Sequence, residues 1–182
     1  MVETVVFMLG SVGFIVLSRH ALTRLDNHGF PRFFAFEALL GLVVLDARYW
    51  LINPFSPAQI ASWILLLLAA YLALHAIWAL HTYGASDPAS LDTNRIGFEK
   101  TTQLVTEGPY RLLRHPMYAS LLYLGWGIFL KHIDLQSGLL AFIASLALFL
   151  TAVYEEKENL DIFGEAYAGY MQHTKRFIPM VF

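Results

Sequence analysis

The chain contains no cysteine. That excludes disulfides, thiolate metal sites, a cysteine nucleophile and palmitoylation. Charge is scarce as well: 14% of the residues are charged and 57% are apolar, against roughly 25% charged in an ordinary soluble domain. So little polar cover excludes a disordered chain and argues against a water-soluble globule. A formal net charge of -2 supplies no basic field for nucleic acid. Several local signatures are missing: HExxH, the dinucleotide GxGxxG, a phosphate-binding loop and a serine in a GxSxG elbow. There is no internal repeat and no low-complexity tract. The length of 182 residues fits one membrane domain, 1–182, with an N-terminal section 1–80 and a C-terminal section 81–182.

What the chain does have is charge-free runs. Fifteen uncharged residues separate Glu3 from Arg19, 16 separate Arg114 from Lys131, and 20 separate Asp134 from Glu155. A fourth run, after Pro57, covers Ala58 to Leu80, 23 residues, where about 20 span a bilayer. Phe33 to Leu51 is apolar but carries Glu37, Asp46 and Arg48. The expectation is an all-α integral membrane bundle of about five transmembrane helices, near 2–18, 33–51, 58–80, 116–130 and 137–154, with an amphipathic C-terminal helix. The fourth is short for a full span, and a tight turn joins it to the fifth as a hairpin. Glu3 stands where a signal peptide would be basic, so the first segment reads as a retained helix.

Lysine and arginine set the expected orientation. Loop one holds Arg19, Arg24 and Arg32; loop two holds none; loop three holds Arg95, Lys100, Arg111 and Arg114. Loop four holds Lys131 alone, and the tail holds Lys157, Lys175 and Arg176. This asymmetry predicts an N-terminus outside the cytoplasmic (inner) membrane, and a cytoplasmic loop three and tail. In the tail, Leu160, Phe163, Tyr167, Tyr170 and Met171 recur at helical spacing, which predicts an amphipathic helix continuing from the fifth span or folding back beneath it.

The densest polar run is TEGPYRLLRHPMY, positions 106–118. Gly108 permits unusual backbone geometry, and Pro109 suits the start of a short helix. Pro116 forces His115 out of the helical region and can itself begin the next helix. Arg111, Arg114 and His115 thus gather at a helix break, a place that favours an anion. The alternative is that both arginines only meet lipid headgroups. Glu155 and Glu156 lie at the cytoplasmic end of the fifth span, where the helix dipole opposes them. They are either exposed there or balanced by a cation; with the break on the same side, a zwitterionic or cationic ligand becomes plausible. Glu37 is the anomalous intramembrane charge, Asp46 and Arg48 being either interfacial or functional. His75 reads as a hydrogen-bonded core histidine, and Gly125-Trp126-Gly127 as helix packing.

The run LVTEGPYRLLRHPMY (104–118), an apolar hairpin, Glu155-Glu156, FGEAY (163–167), Tyr170 and FIP (177–179) together resemble the isoprenylcysteine carboxyl methyltransferase and phospholipid methyltransferase superfamily over about residues 100–179. The resemblance implies an integral-membrane methyltransferase using S-adenosylmethionine and releasing S-adenosylhomocysteine. It also implies a cytoplasm-facing cofactor pocket and a lipophilic substrate that enters from the bilayer among membrane lipids. Carried over by motif position, Gln103, Leu104, Val105, Gly108, Tyr110, His115, Pro116, Tyr118 and Glu155 would bind the cofactor. Arg114 and Glu156 would be catalytic, Arg114 orienting an anionic substrate group or bracing the loop. No metal is implied. The acceptor stays open: a prenylcysteine-like carboxylate, a phospholipid amine or a small lipophilic thiol. A carboxylate needs no general base, whereas an amine would hand its proton to Glu156 or His115. Many relatives carry an arginine one turn before the Glu-Glu pair, where this chain has Thr151, and Asn159 replaces a leucine after it. A second class is a sterol-type membrane reductase using NADPH, which resembles the same C-terminal half. A third is a non-catalytic helical membrane protein whose polar loop binds headgroups.

Overall fold

In a computed structural model the described part of the chain is built from helices. The structure describes residues 2–23, 25–84 and 103–179. Arg24, Arg95 and Lys100, which enter the loop-charge comparison, lie outside the described residues. Among those described there are six α-helices and no strand: α1 (Val2–Ser18), α2 (Gly29–Asp46), α3 (Pro57–Tyr83), α4 (Pro116–Phe129), α5 (Leu135–Phe163) and α6 (Glu165–His173).

Local chemistry sets the helix ends. Ser56 caps α3, accepting from the Gln59 N–H, with Pro57 in the first turn, where a missing N–H costs nothing. Asp134 caps α5 by accepting from Ser137 N–H at 2.9 Å. Several boundaries differ from expectation, those of α2 and the end of α5 most. Helix α2 starts at Gly29, because Asn27 Oδ1 accepts from the N–H groups of Gly29 and Phe30 and Pro31 sits harmlessly in the first turn. It ends at Asp46 in a 3-10 turn, Ala47–Tyr49, rather than at Leu51. Helix α5 runs nine residues past Tyr154, to Phe163, because no glycine or proline interrupts it before Gly164. Gly164 adopts φ +55° and breaks the helix. Leu160 and Phe163 therefore belong to α5, and Tyr167, Tyr170 and Met171 to α6.

Helix α2 packs on α1 and α5, and α4 packs on α3 and α5. Small residues allow this. Ala38, Ala141 and Ala144 share one core cluster with Leu39, Leu42 and Ile128. A Cβ on Gly127 would lie 3.0 Å from Leu66 Cδ2, and Ser62 Oγ donates to the Gly127 carbonyl at 2.6 Å. A Cβ on Gly125 would lie 3.0 Å from Leu39. The Gly-Trp-Gly run is thus a packing seam. On the outer face of α3, Ile60, Ile64, Leu67, Tyr71, Leu74 and Trp78 are exposed at helical spacing. Leu139, Phe142, Leu146, Leu150 and Val153 form a similar stripe on α5. Apolar surface of that extent matches hydrocarbon rather than water. Helices α3 and α5 are long and apolar enough to cross a membrane, and α1 is a shorter apolar helix. The 14 residues of α4 rise only about 21 Å, less than the roughly 30 Å of a bilayer core.

The Glu37 anomaly has a partner: Ser11 Oγ donates to Glu37 Oε2 at 2.7 Å, tying α1 to α2. Lys131, also buried, donates from Nζ to Gln59 Oε1 at 3.0 Å and lies 3.5 Å from the Trp63 ring centroid. Gln59 in turn donates to the carbonyls of Tyr49 and Lys131. Gln59→Leu strands all three groups, and is expected to cost about 1–3 kcal/mol. A thermal melt in detergent checks this.

Candidate active site

The site forms where the loop before α4, the end of α5 and helix α6 meet. Gly108 holds φ +61°, and a short 3-10 turn covers Gly108–Arg111. A Cβ there would sit 3.3 Å from Ala79 Cβ and 3.6 Å from His75 Nε2 on α3. The glycine lets the loop press against α3 and is not itself a wall of the pocket. Gly108→Ala is expected to cost about 1–2 kcal/mol from the left-handed backbone alone, read as a lower melting temperature.

His115 is extended, at φ -126° and ψ 61°, and the buried Pro116 begins α4, as the His-Pro sequence predicts. The tail then braces the break. Lys175 N–H donates to the Leu112 carbonyl at 3.0 Å, Arg114 N–H to the Lys175 carbonyl at 2.6 Å, and His115 N–H to the Arg176 carbonyl at 3.2 Å. The Tyr170 hydroxyl donates to the Tyr110 carbonyl at 2.6 Å, with the Leu113 carbonyl at 3.2 Å. A loop that sequence leaves ambiguous is therefore clamped by residues sixty positions away.

The two glutamates separate in role. Glu156 is buried: Arg114 Nε donates to its Oε1 at 2.7 Å and Arg176 Nη2 to its Oε2 at 2.7 Å. Arg114 Nη1 also donates to the carbonyls of Met171 and Thr174. Glu155 faces the other way, with its Oε2 3.5 Å from His115 Nδ1 and a hydrogen bond from the Tyr118 hydroxyl. His115 Nε2 lies 3.4 Å from Glu156 Oε1. The imidazole is thus buried between two carboxylates, its ring stacked against Tyr118 at 5.4 Å.

Burial alone would lower the His115 pKa, but Glu155 and Glu156 outweigh it and hold the group above its ordinary 6.5. The sign of the consequence follows by linkage. A histidine held charged stabilises the fold fully below its unfolded value and loses that contribution as pH rises through the raised native value. The melting temperature should therefore fall on the alkaline side of 6.5 in the wild type. His115→Gln should flatten that part of the profile. On α6, burial pushes the Tyr167 and Tyr170 hydroxyls above the ordinary phenol value, so both stay neutral.

These elements line a half-open pocket. Of the residues singled out in the sequence, Gln103, Leu104, Val105, Tyr110, Arg114, His115, Tyr118 and Glu155 line it. Gly108, Pro116 and Glu156 stand outside the lining. Leu80, Met117, Asn159, Phe163, Tyr167 and Tyr170 complete the wall. Glu155, Asn159 and Phe163 stand at i, i+4 and i+8 on one helix face, a spacing visible once α5 is continued past the Glu-Glu pair. His28 is a different matter. It is buried, its Nδ1 is 2.5 Å from Glu158 Oε2, and its backbone N–H donates to Glu158 Oε1 at 3.0 Å. No local sequence pattern announces it.

The described helices and pocket fit a helical membrane protein with a chamber, walled by carboxylate, imidazole, aromatic and apolar groups, at one end of its bundle. Residues 58–166 match the phospholipid methyltransferase family, and the chain belongs to that family. It is 26% identical over 143 residues to a methanethiol S-methyltransferase of Pseudomonas deceptionensis, covering 79% of this chain and 48% of that protein. It is 27% identical over 145 residues to a methanethiol S-methyltransferase of Pseudomonas sp. (strain GM41(2012)), with the same coverage of 79% and 48%. The chain thus spans about half the length of the curated relatives it matches.

Proposed function

We propose that the protein is a membrane methyltransferase that binds S-adenosylmethionine in the pocket between α4, α5 and α6 and methylates a lipophilic acceptor. The observation that carries this is the Glu155–His115 pair facing the chamber, with Tyr110, Tyr118, Phe163, Tyr167 and Tyr170 around it. The chemistry of the wall fits the cofactor. Glu155 suits an ammonium or ribose hydroxyls, and the aromatic faces suit a sulfonium. When bound, the cofactor supplies an electrophilic methyl group for in-line displacement. The protein's part is alignment and exclusion of water. Glu155 and His115 hold the ligand's polar end. The phenolic rings, neutral at working pH, cover its charge without competing for it. Arg114 and Glu156, engaged with each other and with the tail, are assigned to bracing the loop rather than to the reacting atoms.

The relatives named as methanethiol S-methyltransferases favour a thiol over a carboxylate or amine acceptor. The charge asymmetry of the loops supports five spans in the cytoplasmic membrane, with the N-terminus outside and the chamber facing the cytoplasm. Incubation with isotopically labelled cofactor and a panel of thiol, prenylcysteine and phospholipid-amine acceptors, followed by mass analysis, tests the proposal. The label is expected on sulfur. No methylated product from any acceptor, together with binding of NADPH rather than S-adenosylhomocysteine, would replace it with the reductase alternative.

A further inference from the structure

A second polar cluster lies at the far end of the bundle from the pocket. Helix α4 begins beside His115, and its 14 residues place its other end about 21 Å away. There the turn between α4 and α5 brings His132 and Asp134 against Asp46, the last residue of α2. His132 Nδ1 lies 2.6 Å from Asp134 Oδ2 and 3.8 Å from Asp46 Oδ1. The three donor atoms fall within 4.8 Å of one another.

Two features set this cluster apart from an ordinary acidic patch. Asp46 is 0% exposed, and its Oδ2 has no hydrogen-bond partner. A buried carboxylate oxygen left bare is costly unless a cation or donor meets it. The cations nearby are turned elsewhere: Lys131 to Gln59 and Trp63, and the Arg48 guanidinium over the Tyr49 ring at 4.9 Å. Second, one residue, Ser137, steadies both carboxylates, and its Oγ also lies 3.5 Å from Asp134 Oδ2. Ser137 Oγ donates to Asp46 Oδ1, and Ser137 N–H donates to Asp134 Oδ1, both at 2.9 Å. Asp46 thus meets the imidazole through Oδ1, Asp134 meets it through Oδ2, and Asp46 Oδ2 is the buried oxygen left without a hydrogen-bond partner. Tyr49 stacks on His132 at 3.7 Å and 2°, fixing the ring plane.

We propose that Asp46, His132 and Asp134 bind one first-row divalent cation of the Zn²⁺ class, joining the end of α2 to the α4–α5 turn. One imidazole and two carboxylates form a mixed nitrogen–oxygen set that suits Zn²⁺ better than Mg²⁺ or Ca²⁺, which prefer all-oxygen shells. Donor atoms about 2.1 Å from one ion lie no more than about 4.2 Å apart, so the cluster closes with sub-ångström side-chain movement. Ser137 and Tyr49 are the orienting outer partners such a site needs. His132 is 36% and Asp134 31% exposed on their side chains, which leaves an entry path and room for a water as fourth ligand.

The test uses the full chain in detergent, free of any histidine tag and stripped with a chelator. Titration calorimetry with ZnCl₂ should show one equivalent per chain, and Co²⁺ should give a visible d–d band. Asp46→Asn and His132→Gln should each weaken Zn²⁺ at least about 10-fold and abolish the Co²⁺ band. Because Asp46 is interior, Asp134→Asn serves as a second carboxylate variant at a partly exposed position that retains the helix cap. Helical circular dichroism confirms that each variant is folded. Absence of a stoichiometric Zn²⁺ site in the wild type, or unchanged affinity in His132→Gln and Asp134→Asn, would overturn the proposal and leave a purely hydrogen-bonded staple.

Discussion

Glu155→Gln is expected to weaken S-adenosylhomocysteine binding by at least about 30-fold, the equivalent of about 2 kcal/mol, while the protein stays folded in detergent. Glutamine keeps the shape of the side chain and its contact with Tyr118. What it loses is the charge that faces both the chamber and His115. The side chain is 22% exposed, so the substitution leaves no fully buried polar group behind. His115→Ala should produce a loss of similar size by a different route. It removes the buried ring that stacks on Tyr118 and separates the two glutamates. Calorimetry against S-adenosylhomocysteine reads both. Wild-type affinity in both variants would move the pocket away from this pair.

Those two residues were legible in the sequence because backbone chemistry marks them. A proline fixes the break at His115, and a helix end opposed by its own dipole draws attention to Glu155. The hairpin was legible from its charge-free runs, and the packing role of Gly125 and Gly127 from their place in an apolar helix. The ends of α2 were not. Asn27 accepts from the first turn through its side chain, and a proline three residues into a helix looks like a barrier in sequence although it costs nothing there. The extension of α5 was hidden for a related reason. Charged residues after Tyr154 end a membrane-spanning pattern but not a helix, so the hydropathy boundary and the hydrogen-bond boundary fall in different places. Long-range partners were invisible altogether. The bonds from Arg114 to Met171 and Thr174, from Tyr170 to Tyr110, and from His28 to Glu158 all join positions 57 to 130 residues apart. Local patterning does not report such distances.

The largest loss of stability is expected from Glu156→Ala. The Glu156 carboxylate is 5% exposed and takes the charge of Arg114, Arg176 and His115 together. Removing it leaves three cationic groups facing one another, one of them, Arg114, only 10% exposed. Breaking a buried ion pair from one side typically costs about 3–5 kcal/mol, which for a domain of this size lowers the melting temperature by on the order of 10 °C. Arg176→Met should cost less, because Arg176 is 26% exposed and Arg114 remains in place. Changing Arg114 to Met together with Glu156 to Leu should recover part of the loss by removing both charges at once. The melts also separate bracing from chemistry. A Glu156→Ala protein that melts like the wild type but transfers no methyl group would make Glu156 a catalytic residue after all.

The central claim is that a sulfonium-bearing nucleotide sits between the N-terminus of α4 and the tyrosines of α6. An experimental structure with S-adenosylhomocysteine bound tests it most directly. The ligand is expected against Glu155 and His115, with Tyr110, Tyr118, Tyr167 and Tyr170 around it. Density for the ligand anywhere else on the bundle, or a chamber that stays empty at saturating concentration, would contradict the account.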